Sequence, residues 1–276
     1  MPLTGSFNTL EVRSYRAQRT AQTSKSITFA KPFIARPELP LGLNYLDVDN
    51  GADIRIKAYA SDITPNGFRA HVDTWSNTTL HAGGAGWLEV APGCLEFQHG
   101  QFSTQADASR RITFAHPFVS LPKVIVFFNG LNLDKNSAWR IKTYATDIDR
   151  MGFTINIKTW GSTVLHGAAA GWIAYPENLS YAFGGTSNTM EVCSIVAPQH
   201  NIRKGINFDG VQFQELPSIF MAINYIDVYN SNYLRLRVFP SSITTAGMDW
   251  NIESWISPNI YHAGISYICI ATPPMT

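Results

Sequence analysis

The chain has 276 residues, of which 45% are hydrophobic, 12% aromatic and only 15% charged, with a formal net charge of +1. That balance offers packed cores but no sustained positive field, which argues against nucleic acid and anionic lipid as partners. No stretch approaches the roughly 20 apolar residues that cross a bilayer, and the opening MPLTGSFNTLEV has no basic region followed by an apolar run. As written, the chain therefore reads as soluble, without membrane insertion and cytoplasmic, with non-signal release as its route to an extracellular role.

Three cysteines, Cys94, Cys193 and Cys269, are odd in number and form no CxxC pair, so they read as reduced thiols. In chain order, TGSFNTLEV opens the sequence and returns as GTSNTMEVCS at 185–194, with a shorter version, HGQFST, at 99–104. The polar run SYRAQRTAQTSKS that follows the first copy lacks periodicity and predicts a loop. Next comes ITFAKPF at 27–33, matched by ITFAHPF and INFDGVQF; its alternation predicts a half-buried strand, and its proline places that strand at an edge or a bend. An apolar strand then follows an aligned proline (Pro37, Pro122, Pro217).

The fourth strand is the most legible. Ile56 and Ala58 point one way and Arg55, Lys57 and Tyr59 the other, a division repeated around Arg140. After a turn (TPNG, DRMG, TTAG) whose glycine predicts a flexible corner, Phe68, Ala70, Val72 and Thr74 form an apolar face. Trp75 then falls on the polar face. A last strand carries Trp87, Trp172 or Tyr267.

The anchors Arg55, Arg140 and Arg235, and likewise Trp75, Trp160 and Trp255, are offset by 85 and then 95 residues. A period this long means three copies of a whole domain of roughly 90 residues, not a solenoid. The expectation is an all-β chain of three tandem antiparallel six-stranded β-sandwich domains, at 1–92, 93–177 and 178–276, with no amphipathic helix.

A tryptophan on the polar face beside a strand presenting arginine, three times over, is a repeated surface feature that suits carbohydrate. A sugar's C–H face packs on indole, and its hydroxyls meet a planar guanidinium. A second reading stays open, in which Trp75, Trp160 and Trp255 fill contacts between neighbouring repeats.

In these residues the chain resembles the H-type lectins. The shared pattern is ITFxxPF, a proline, LD, an Arg eight residues beyond that Asp, a P-x-G-F turn, and TW followed by N-T or S-T. Repeat 1 matches through Phe29, Pro32, Pro37, Asp47, Arg55, Pro65, Gly67, Phe68 and TWSNT at 74–78; repeat 2 has Asn132 at the Asp position, and repeat 3 reads SWISPN.

The resemblance implies binding of galactose-type sugars, typically N-acetylgalactosamine, without catalysis, cofactor or obligatory metal. The implied site uses the Arg (Arg55, Arg140, Arg235), the Trp with the residue after it (Ser76, Gly161, Ile256, where the family has His), and an N-terminal Gly (Gly5, Gly100, Gly185). The family's Asp two positions on from that Gly is Phe7, Phe102 or Ser187 here, so the sugar is left open. His81, His166 and Tyr261, six residues past each Trp, are candidates to compensate, or fold histidines in the first two copies.

Implied partners are glycans and glycoconjugates. Three copies on one chain without long linkers imply an intramolecular pseudo-trimer, and the family's hexamers imply a homodimer of pseudo-trimers. Binding is expected to be strongest in repeats 1 and 2, through exposed arginines. Competing classes are a structural or toxin-associated assembly protein and a glycan-acting enzyme. For the enzyme, no GxSxG, HExxH or P-loop occurs and the carboxylates fail to recur as pairs, Asp47 becoming Asn132 and Asp62 becoming Ser242.

Overall fold

The computed structural model describes residues 4–15, 22–193, 200–256 and 260–271. Repeat 1 forms β1 (Thr4–Asn8), β2 (Ser24–Thr28), β3 (Leu41–Val48), β4 (Ile54–Thr64), β5 (Gly67–Asp73) and β6 (Leu80–Leu88). Repeat 2 forms β7 (Gln98–Thr104), β8 (Ala108–Thr113), β9 (Pro122–Leu133), β10 (Trp139–Asp149), β11 (Gly152–Thr159) and β12 (Leu165–Pro176). Repeat 3 forms β13 (Ala182–Asn188), β14 (Asn201–Asn207), β15 (Ser218–Val228), β16 (Leu234–Ser241), β17 (Gly247–Glu253) and β18 (Ile260–Ile270). Among the described residues the only helical turns are Thr9–Glu11 and Thr189–Glu191, each started by an asparagine capping box, Asn8 or Asn188.

The alternation read from the sequence is the alternation of burial. Ile54, Ile56 and Ala58 of β4 are inside while Lys57 is exposed, and Phe68, Ala70 and Val72 of β5 pack inward beside them. Each repeat is a six-stranded antiparallel sandwich of two three-stranded halves, β1-β6-β3 facing β2-β5-β4 in the first, and the three-copy all-β architecture holds throughout.

What the sequence did not reveal is where the sheets end. Each half runs on into the neighbouring repeat, giving three six-stranded sheets: β2-β5-β4-β9-β12-β7, β8-β11-β10-β15-β18-β13, and β14-β17-β16-β3-β6-β1. Repeat 1 joins repeat 2 through β4 and β9, repeat 2 joins repeat 3 through β10 and β15, and repeat 3 returns to repeat 1 through β16 and β3. The three repeats thus close a ring with pseudo-threefold symmetry in a single chain. We call the junctions 1/2, 2/3 and 3/1.

Two local expectations need correction. The strand expected over 27–33 stops at Thr28, and Ser24–Ser26, assigned to a loop, begin it. Beyond Thr28 the chain wraps over the β4–β5 turn, where Phe29 and Phe33 donate to the carbonyls of Asn66 and Pro65; Phe114 and Phe118 do the same to Met151 and Arg150. β2 and β8 are nonetheless sheet edges, as the proline of ITFAKPF and ITFAHPF foretold, and β14, whose INFDGVQF has no proline, is an edge as well. The turn glycines Gly67, Gly152 and Gly247 are not flexible corners with positive φ. A Cβ on any of them would strike the carbonyl oxygen of Ile27, Ile112 or Ile206 on the edge strand.

Where β3, β9 and β15 meet, side chains of all three repeats form a second core around the axis, with Ile125, Phe127, Ile173, Phe220 and Ile268 at its heart. Gly42, Phe127 and Ala222 occupy equivalent positions there. Phe127 takes the space that its two smaller counterparts vacate, its ring 4.8 Å from that of Phe220. A Cβ at Gly42 would lie 2.5 Å from Ala222 Cβ and 2.6 Å from Phe127 Cδ2. Gly42→Val is therefore expected to cost about 1–3 kcal/mol through overpacking, read as a lowered urea midpoint, and Phe127→Leu added to it should recover part of the loss. A single variant as stable as the parent would contradict this packing.

Candidate functional site

Ring closure sets the geometry of every candidate residue. Across each junction the Arg of one repeat stands directly opposite a fixed position of the next: Arg55 opposite Asn132, Arg140 opposite Asp227, Arg235 opposite Asp47. The histidine or tyrosine six residues past each Trp also crosses over. His81 belongs with Arg235, His166 with Arg55, and Tyr261 with Arg140, so the compensating pairs are not within one repeat but between consecutive ones.

The arginines are not the exposed groups expected from sequence. At 3/1, Arg235 Nε donates to Asp47 Oδ1 at 3.2 Å, with the two side chains 10% and 1% exposed. Its guanidinium lies over the Tyr233 ring, 4.5 Å from the centroid. Burial pushes the Asp47 carboxyl above the usual carboxylate range, against the opposing charges of Arg235 and His81. His81 is buried, stacked between Tyr15 and Tyr233 and 3.6 Å from Asp49, which makes it a packed histidine of the fold.

At 2/3, Arg140 Nε donates to Asp227 Oδ1 at 3.1 Å and its guanidinium covers Tyr229, which meets Tyr261 edge-on. At 1/2 the partner position is Asn132. Arg55 turns back on its own repeat, pairing with Asp53 and donating to Asn77 Oδ1 at 2.9 Å. His166 is exposed there, 3.5 Å from Asp134 and 4.0 Å from Asp53. These three side chains could hold an ion, but Arg55 and the backbone N–H of Lys135 already occupy the Asp53 carboxylate.

The tryptophans also reach across. Trp160 packs on Tyr225 of the next repeat with ring centroids 5.4 Å apart, and Trp255 on Tyr45 at 5.1 Å. At 1/2 the equivalent of those tyrosines is Gly130. Both readings of the indoles therefore have substance: all three are half-buried, and two of them line a junction while keeping an open face. The exposed cation beside them is the basic residue two positions past the Arg on the same strand face, namely Lys57, Lys142 or Arg237. Arg237 pairs with Glu253 on the neighbouring strand.

At 3/1 these groups border an open cleft of about 560 Å³ lined by Tyr45, Asn201, Arg237, Glu253, Ser254 and Trp255. Sequence reasoning stopped at Arg235 and missed Arg237 and Tyr45. The signal was present, because Arg237 shares the polar face of Arg235 and Tyr45 recurs in LNYLDVD and INYIDVY.

The remaining sequence candidates have structural duties. Gly5, Gly100 and Gly185 pair across to Trp87, Trp172 and Tyr267, whose rings fill the space that a Cβ would need. Ser76, Gly161 and Ile256 all take positive φ, 58°, 65° and 71°. That region suits Gly161, where a Cβ would also press on Arg140 Nη1, and strains the β-branched Ile256.

The ring of antiparallel sandwiches thus leaves an aromatic cleft, floored by the Arg237–Glu253 pair, between repeat 3 and repeat 1. The H-type lectin domain family matches the chain at 24–88, 109–175 and 203–270. The chain belongs to that family. It is also 34% identical over 64 residues to "ATP synthase subunits region ORF 7" of Fuscovulum blasticum, a match covering 23% of this chain and 56% of that one. The chain thus spans little more than half the length of that curated relative. Two structures of discoidin II from Dictyostelium discoideum are similar at 15% and 14% identity, covering 55% and 63% of this chain and 80% and 95% of theirs, with TM-scores of 0.27 and 0.28. Superpositions at that level add nothing to the argument.

Two outcomes follow for the junctions. Asp47→Ala strands the buried Arg235 charge and should cost about 3–5 kcal/mol in chemical denaturation, whereas Asn132→Ala, facing an Arg that has other partners, should cost about 1 kcal/mol or less. Equal losses would mean that the ion pair does not hold the 3/1 junction. Ile256→Gly, which relieves a left-handed β-branched residue that is 73% exposed, should raise the unfolding free energy by about 1 kcal/mol, read as a higher urea midpoint. A fall would show that the Ile256 side chain contributes more than its backbone conformation costs.

Proposed function

We propose that the chain is a multivalent carbohydrate-binding protein whose sites are the junction clefts, and that it takes galactose-type sugars, N-acetylgalactosamine among them, without catalysis. The observation that carries this reading is the 3/1 cleft. Trp255 and Tyr45 supply apolar ring faces for the C–H side of a pyranose. The Arg237–Glu253 pair on the floor supplies donors and acceptors for its hydroxyls. Family membership supports the same conclusion. The reading shifts recognition from the interior arginines, which hold the ring together, to the exposed cation two positions on, and from repeats 1 and 2 to repeat 3 with repeat 1.

The assembly reading retains Arg140, Arg235 and Trp160, whose partners lie in the next repeat. It accounts for these side chains and leaves the open cleft unexplained. Weak single sites on a rigid ring gain avidity because later binding events are intramolecular, often by about 10²- to 10⁴-fold.

A glycan array probed with the whole chain should show binding to galactose- or N-acetylgalactosamine-terminated glycans. Trp255→Ala and Arg237→Ala should each weaken that binding tenfold or more while far-UV dichroism is unchanged. Binding to other glycans alone would keep the lectin and discard the sugar. An array blank for every glycan would leave the assembly reading.

A further inference from the structure

The 3/1 cleft does not end at Tyr45 and Arg237. A second cleft of about 240 Å³ opens on their other side, lined by Ser6, Asn8, Asn44 and Phe239 together with those same two residues. The pairing registers explain the continuity. Asn8 is opposite Gly84, Gly84 opposite Tyr45, Tyr45 opposite Arg237, Arg237 opposite Glu253, and Glu253 opposite Asn201. Direct partners share a sheet face, so these six residues form one transverse row across all six strands, about 24 Å long at the usual strand spacing. At Gly84 in the row the space of a side chain is taken by Asn44, whose Oδ1 lies 2.8 Å from where a Cβ would stand, so the amide of Asn44 fronts the row there, and Phe239 offers a further aromatic ring, already covered on one side by Arg237.

A counterpart of the second cleft, about 260 Å³ and lined by Tyr59, Gln101 and Asn129, lies at 1/2; two features of the Trp255 end of the row distinguish 3/1. Ser254 is 4% exposed, lines the cleft beside Trp255, and its Oγ has no hydrogen-bond partner among the described residues. Its equivalents are satisfied, Thr74 Oγ1 donating to the Arg55 carbonyl at 2.6 Å and Thr159 Oγ1 to Asp107 at 2.7 Å. A buried hydroxyl left without a partner asks for one from outside. The corresponding rows are also built differently. At 1/2, Gly130 replaces the tyrosine and Lys57 faces Asp73, which is occupied by Tyr59 and the Thr23 N–H; at 2/3, Lys142 faces Lys158.

We propose that the 3/1 junction binds a glycan chain of several residues laid across the strands, with one ring against Trp255 and Tyr45 and the chain continuing past Arg237 toward Ser6 and Asn8, not a single terminal sugar. The inference rests on the lectin reading above and deepens it. Charged and amide side chains along the row meet successive hydroxyls, and the aromatic rings cover successive C–H faces. An isolated indole would reward only the terminal ring.

Titration calorimetry on the whole chain decides the matter, with galactose and N-acetylgalactosamine compared against linear galacto-oligosaccharides of two to four units and an array whose glycans are sorted by length. Affinity is expected to rise at least tenfold from one unit to four. Ser6→Arg, which fills the second cleft from an exposed position, should remove that gain and leave monosaccharide affinity unchanged, while Trp255→Ala should weaken every length. Equal affinity for all lengths, or a gain that survives Ser6→Arg, would overturn the extended site while leaving the lectin reading intact. If neither the titrants nor any glycan on the array binds, the lectin reading itself fails and the extended site falls with it.

Discussion

Everything in this molecule depends on the pairing of one repeat's fourth strand with the next repeat's third. A three-stranded half-sheet taken alone would present a bare row of N–H and C=O groups along β4, β10 or β16, and another along β3, β9 or β15. Such edges are costly to bury and prone to promiscuous pairing. Joining each to its neighbour removes six such edges at once and closes the ring. The edges that remain are short strands of five to seven residues, β2, β8 and β14 at one end of the sheets and β1, β7 and β13 at the other. The fold and the candidate sites thus have one cause, because the contact that completes the sheets also brings a tryptophan of one repeat onto a tyrosine of the next.

Covalent linkage lets the three junctions differ in a way that three identical chains could not. Around the axis, one large side chain, Phe127, serves the positions where the other repeats have Gly42 and Ala222, a division of labour that symmetry would forbid. At the rim, two junctions are tied by buried or half-buried Arg–Asp pairs and the third is not, since Asn132 leaves Arg55 to find Asp53. A buried ion pair is weak evidence for net stability; at 3/1 it ties Arg235 to the residue directly opposite it, Asp47, across β16 and β3. The diverged third repeat, where binding was expected to be weaker than in repeats 1 and 2, shares with repeat 1 the junction that holds the 560 Å³ cleft.

Much of the fold was legible because its signals are local. Alternation in RIKAY and in FRAHV, the repeated turns and the edge-placing prolines each depend on residues within one strand or turn, and burial follows them residue by residue. Sheet continuation across repeats was not legible, since the two strands that pair at a junction are both apolar on their inner faces and nothing in either names its partner. How the site residues are grouped was hidden for the same reason. Reading each repeat by itself put His81 with Trp75, when ring closure puts it with Arg235. It also took Arg235 for an exposed ligand, because strand periodicity gives the face of a side chain but not whether another repeat covers that face. The glycines at 5, 100 and 185 carried a signal that was read only as a site motif. Their conjunction with Trp87, Trp172 and Tyr267 on the next strand supplies a packing reason.

The central claim is that recognition happens between repeats, on a surface that exists only because the ring is closed. Its most direct test is a crystal structure of the whole chain soaked with a saccharide that binds in solution. The account predicts sugar density at the 3/1 junction, with a pyranose ring in contact with Trp255 from repeat 3 and Tyr45 from repeat 1 together. A sugar held wholly within one repeat, away from every junction, would contradict it.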